Sequence, residues 1–128
     1  MTQQLNVDPR TVMKKLRFLP VRSCSDFEVF EYDAPDQRAE PPKNSDIGGH
    51  HLAFYTDDFS GALDWLRSHD VEILGEPVHR TEGPSAGQSW VYFLAPWGMQ
   101  FELVSFPRGK GYEKYTDRHL WNPVTPSE

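Results

Sequence analysis

One run of helical periodicity interrupts a chain otherwise patterned as strands, and it restricts the fold more than any other feature. Phe59, Ala62, Leu63 and Leu66 stand at i, i+3, i+4 and i+7 in "DDFSGALDWLRSHD", the stripe of a single amphipathic helix. Asp57 or Asp58 is placed to cap its first free N–H groups. The β-rich run "HHLAFYTDD" precedes it, and "VEILGEP", "SWVYFLAP" and "MQFELVSF" follow as strands separated by "HRTEGPSAGQ" and "PWG". The second half of the chain thus reads β-α-β-β-β, an α+β arrangement. Upstream, "DFEVFEYDAP" is a strand, whereas "TVMKKLRFLPV" suits helix or strand equally. Residues 1–10 are polar and expected to be loose. The Pro-, Asp- and Gly-rich "DAPDQRAEPPKNSDIGG" reads as a linker between two halves. The tail from residue 109 to 128 lacks periodicity, with Tyr112, Leu120 and Trp121 as its expected anchors.

Composition narrows the function classes. A chain of 128 residues fits one domain, with no apolar run long enough to span a membrane and no signal-like N-terminus. A formal charge of −6 without a Lys/Arg cluster argues against nucleic acid or anionic lipid as a partner. Cys24 is the only cysteine, which rules out an intramolecular disulfide and a thiolate zinc knuckle and favours a reducing, cytoplasmic setting. A domain that handles small molecules is the class left.

Glu102 is the anomaly. Alternation through "MQFELVSF" puts Phe101, Leu103 and Ser105 on one face and Gln100, Glu102, Val104 and Phe106 on the other. Both faces are largely apolar, so an ionised carboxylate there needs a hydrogen bond, an opposite charge or a metal. Arg17, Arg22 or Arg80 could pair with it. "LRFLPVRSCSDFEVFEYDAP" parallels "VYFLAPWGMQFELVSFPRG", and with a one-residue gap Glu28 falls opposite Glu102. Two carboxylates at equivalent places in a duplicated unit are the makings of a site between pseudo-symmetric halves.

"HHLAFYTDD" adds a nitrogen ligand. Leu52 and Phe54 share a face with His50 and suit the underside of the helix, whereas His51 shares the opposite face with Ala53 and Tyr55. Glu28, His51 and Glu102 make a mixed N/O set that suits divalent Fe, Mn, Ni, Co or Zn without selecting one. The alternative is a surface histidine and an Arg-paired glutamate. Phe30, Tyr55, Trp90 and Tyr92 are candidates to line an aromatic substrate pocket, some of them as core instead. His79 and Arg80 could meet an anionic substrate or simply flank a solvated hairpin, and "GPSAGQ" reads as a turn.

The stretch "GGHHLAFYTDDFSGALDWLRSHDVEILGEP", with "GQSWVYFLAPWGMQFELVSFP" after it, resembles the second module of the vicinal oxygen chelate superfamily. That group includes glyoxalase I, methylmalonyl-CoA epimerase, extradiol dioxygenases, and fosfomycin- and bleomycin-resistance proteins. The resemblance implies paired βαβββ modules in a cupped mixed β-sheet with a divalent transition metal in the cleft. Residues 1–34 would then be the remnant of a first module, 35–46 a linker, 47–108 the second module and 109–128 a tail. His51 and Glu102 match the second module's metal-ligand positions, and Glu28 matches the first module's last-strand ligand. Two departures accompany the match. No His precedes His50 to supply the first module's opening ligand, and the family's Asp-Pro-Asp-Gly turn is here Ala95-Pro96-Trp97-Gly98. An incomplete first module would expose a sheet edge and invite a homodimer.

The family implies a metal-dependent lyase or isomerase that grips adjacent substrate oxygens and stabilises an enediolate. Glu28 or Glu102 would be its proton-transferring base. The alternatives are a metal-free binding or resistance protein of the same fold and an extradiol-type dioxygenase.

Overall fold

The computed structural model describes residues 2–21 and 25–125, so Arg22 and Cys24 lie outside the described residues. The chain divides into two compact units, Met1–Ala39 and Glu40–Glu128.

The first unit is a β-hairpin preceded by a short helix, α1 (Thr2–Leu5), where the sequence suggested a loose segment. Strands β1 (Val12–Val21) and β2 (Ser25–Asp33) pair antiparallel, with a register shift between Met13 and Lys15. Pairing with β2 settles "TVMKKLRFLPV" as a strand: the ladder satisfies backbone groups that a helix would have bonded internally. Glu28 lies exposed on β2 directly opposite Phe18. The ion pairs Lys14–Asp33 (3.2 Å) and Lys15–Glu31 (3.7 Å) are surface pairs and add little stability.

The second unit carries the β-α-β-β-β order read from the sequence. β3 (Leu52–Tyr55) leads to α2 (Phe59–Ser68), then β4 (Ile73–His79), β5 (Ser89–Leu94) and β6 (Gln100–Ser105). Asp58 caps α2, its carboxylate accepting from the Gly61 N–H at 2.9 Å. The four strands form one mixed sheet in the order β3-β6-β5-β4, with β3 parallel to β6 and the other pairs antiparallel. Edge strand β4 breaks register between Leu74 and Val78, around Gly75 and Pro77. A proline that cannot donate to the ladder is tolerated at such an irregular edge.

The register sorts the side chains. Leu52 aligns with Phe101 and Phe54 with Leu103, while Val91 and Phe93 face Leu103 and Phe101 across β5–β6. This face lies under α2: Leu63, Leu66, Val91 and Leu103 are the buried cluster, with Phe59, Ala62, Val71, Ile73 and Phe93 packed on it. Each such aliphatic side chain contributes about 1.5–3 kcal/mol by leaving water. Ala53, Tyr55, Trp90, Tyr92, Glu102 and Val104 share the other face.

After β6 a 3₁₀ turn (Gly111–Lys114) ties the tail to the loop before β5, through Gly111 N–H to Ala86 O and Tyr112 N–H to Pro84 O, both 2.9 Å. Of the three expected anchors Tyr112 meets the body through its N–H to Pro84 O, and its hydroxyl accepts from the Leu120 N–H within the tail at 2.8 Å. Leu120 and Trp121 are each 68% exposed and hold nothing down. No helix among the described residues is long and apolar enough to cross a membrane.

Candidate active site

Side-chain alternation decides where Glu102 points. It lies mid-β6, between Ala53 of β3 and Tyr92 of β5, on the face away from α2. Ala53 is small, which leaves room for the imidazole of His51, two residues earlier on the same face, to reach across. His51 Nε2 stands 3.1 Å from Glu102 Oε2, with the Glu102 side chain only 13% exposed and that of His51 33%. The other ring nitrogen, Nδ1, meets the Asn44 side-chain Nδ2 at 3.2 Å. With that amide donating, Nδ1 is the acceptor and Nε2–H donates to the carboxylate. Glu102 therefore has a hydrogen-bond partner in His51; Arg80 lies over the Trp90 ring, 5.8 Å from its centroid.

Two phenols flank the pair. The Tyr92 ring meets His51 edge-on at 5.1 Å between centroids. Burial and then the nearby Glu102 charge hold the Tyr92 hydroxyl protonated beyond its ordinary range. Tyr55 donates to Asp57 Oδ1 at 2.8 Å, and burial together with that bond pushes it up to about 12. Both side chains are thus neutral donors at physiological pH.

The fold agrees with the comparisons to known proteins. The family model for the Glyoxalase/Bleomycin resistance protein/Dioxygenase superfamily matches residues 17–103. This chain belongs to that superfamily. A 2-epi-5-epi-valiolone epimerase from Actinomyces sp is 45% identical over 124 residues, covering 96% of this chain and 67% of the relative. The crystal structure of SMU.1112c shares the fold at a TM-score of 0.50 and 20% identity, covering 80% of this chain and 85% of that one.

For a glyoxalase-superfamily chain the question is whether the residues suit a divalent metal. Imidazole nitrogen with carboxylate oxygen is a donor set that divalent transition metals accept. Ligand atoms about 2.1 Å from a cation and at right angles stand about 3 Å apart, close to the spacing of Nε2 and Oε2. The two residues fit such a role. Among the described residues no group of three or more His, Cys, Asp or Glu is gathered closely enough to hold a metal ion by itself. Glu28 belongs to the hairpin unit, as does Phe30, which stacks on Tyr32 at 5.8 Å.

Of the other candidates, Tyr55, Trp90 and Tyr92 all share the Glu102 face. His79 lies elsewhere: its Nδ1 is 2.7 Å from Ser89 Oγ and its ring is edge-on to Phe59 of α2. Trp97 stands edge-on to Phe101, on the helix side of the sheet, which makes it a packing residue. Asn44 was hidden within the linker reading. Its only sequence signal is the turn chemistry of "KNSDIGG", where Asn, Asp and Gly favour a tight reversal just before the histidines.

Proposed function

We propose that this chain is an epimerase that inverts a carbon next to a ketone carbonyl, acting on a valiolone-type substrate. The observation that carries the reading is the His51–Glu102 pair, 3.1 Å apart; the resemblance read from the sequence is what makes these two residues ligand candidates. The 45% identical epimerase supports the reaction type and the substrate class.

A hydrogen on a carbon beside a carbonyl is acidified because the charge left behind spreads onto oxygen. Glu102 is the base that takes this proton, with His51 beside it at 3.1 Å. Tyr92, kept neutral beside Glu102, donates a hydrogen bond to the substrate oxygen that gains charge. Inversion requires the proton to return on the opposite side of the carbon, so a second acid is needed. The candidate for that role is Glu28, on the ground of the resemblance alone, which matches it to a first-module ligand position. His51 and Glu102 would supply two ligands to a divalent transition metal, which would add Lewis-acid polarisation of the substrate oxygens. Tyr55 and Trp90, which share the Glu102 face, are assigned to the substrate's carbon skeleton. A homodimer belongs to the same proposal: Val12, Phe18 and Phe30 of the hairpin are 59%, 58% and 39% exposed, and a two-stranded sheet is marginal alone.

The test is incubation with 2-epi-5-epi-valiolone in deuterium oxide, beside elemental analysis of the purified protein. Epimerisation with deuterium entering the inverted carbon, and near one transition metal per chain, is the expected result. Turnover without deuterium exchange would overturn the proton-transfer mechanism. Tight binding with neither turnover nor metal would favour a binding protein, a reading that the aromatic face of Tyr55, Trp90 and Tyr92 also supports.

A further inference from the structure

The segment before β3 closes into a turn that brings one amide to the site histidine. The Asp46 carboxylate accepts from the Lys43 N–H at 2.8 Å, and the Asp46 N–H returns to Lys43 O at 2.9 Å. The Gly49 N–H then donates to Asp46 O at 2.8 Å. This closure needs Gly49 itself. A Cβ there would run into the Lys43 carbonyl oxygen and sit 2.9 Å from the Asn44 carbonyl. Gly48, with φ at +84°, supplies the left-handed step that other residues resist. The result is that Asn44 Nδ2 reaches His51 Nδ1 at 3.2 Å while Glu102 holds Nε2 at 3.1 Å. The ring is gripped at both nitrogens, with Tyr92 edge-on beside it.

We propose that Asn44 is a positioning residue for His51, its amide able to serve the ring in either of two proton arrangements. The inference rests on His51 being the site histidine of the proposed function. An amide carries a donor at one end and an acceptor at the other. With Nδ2 toward the ring, it donates to a bare Nδ1 and matches Nε2–H pointing at Glu102. Turned by half a rotation, its Oδ1 accepts from Nδ1–H and matches a bare Nε2 free to ligate a cation beside Glu102. A carboxylate at this position could only accept, and a hydrocarbon could do neither. Partners of this kind commonly fix the ring of a ligating histidine.

The experiment compares wild type, Asn44→Leu and Asn44→Asp, each first shown by circular dichroism to keep the wild-type fold. The ¹⁵N resonances of His51 are read in metal-free protein at a pH where the ring is neutral, and Zn(II) affinity is measured by calorimetry. Wild type and Asn44→Leu are expected to hold the proton on Nε2, facing Glu102. Asn44→Asp is expected to move a substantial share of it to Nδ1. On adding Zn(II) the wild-type proton moves to Nδ1, and Asn44→Leu binds Zn(II) about 10–100-fold more weakly. Asn44→Asp binds it no less tightly than wild type. An identical tautomer in wild type and Asn44→Asp, or wild-type Zn(II) affinity in Asn44→Leu, would overturn the proposal. If the tautomer shifts but no form takes up Zn(II), the metal reading of the site fails and Asn44 stands as the partner of the ring.

Discussion

Tyr92 lies directly across the β5–β6 ladder from Glu102. Burial and the carboxylate's charge keep the phenol neutral, and in the proposed reaction the carboxylate takes the proton while the phenol donates a hydrogen bond. Tyr92→Phe keeps the ring contact with His51 and removes only the hydroxyl. It is expected to lower kcat about 10²-fold with little change in KM, as for loss of one donor to a developing oxyanion. Steady-state kinetics on the epimerase substrate check this, and an unchanged kcat would remove Tyr92 from the chemistry.

Glu102→Gln keeps the size of the side chain and removes its basicity. The expected loss in kcat is about 10²–10⁴-fold, with deuterium exchange falling in parallel. His51→Ala takes away the N–H that holds the carboxylate at 3.1 Å and should lower both activity and bound metal. Metal content and exchange rate, measured on the same preparations, separate the two effects.

Tyr55 gives the protein a signature at alkaline pH. Its pKa rises from 10.0 to about 12 on folding, through burial and its bond to Asp57. The folded state therefore holds this proton more tightly than the unfolded chain does. The stabilisation is complete below about pH 10 and is lost as pH climbs through 12. Ultraviolet titration should show a phenolate near pH 12 that is missing in Tyr55→Phe, and the variant's stability should fall less steeply across that window.

Leu66 projects from α2 into the cluster with Leu63, Val91 and Leu103. Leu66→Ala leaves a cavity between helix and sheet and is expected to cost about 2–5 kcal/mol in urea unfolding. Asp58→Ala removes the cap on Gly61 and should cost about 1 kcal/mol, with the core untouched. A larger effect at Asp58 than at Leu66 would mean that the cap, and not the core, carries α2.

Much of this was legible in one dimension because periodicity maps directly onto faces. The stripe Phe59, Ala62, Leu63, Leu66 marked the helix, and alternation set His51 and Tyr55 on the face away from it, while strand pairing was needed to put Glu102 on that face. The resemblance supplied the ligand assignment of His51 and Glu102. "TVMKKLRFLPV" carried no clean period, so only its pairing partner β2 could make it a strand. Leu120 and Trp121 looked like anchors because they are apolar, yet no surface receives them, and hydrophobicity alone does not say what a side chain packs on.

The sequence by itself determined the β-α-β-β-β order of the second unit and which residues share a face within each of its strands, because these depend on local periods. Only the tertiary structure decided that His51 meets Glu102 across 51 positions and that Asn44 holds the ring from behind. The first contact needs the parallel pairing of β3 with β6, and the second needs a turn closed by Asp46 around a residue with no Cβ. Contacts of that kind depend on where backbones come together in space, which spacing along a chain does not encode.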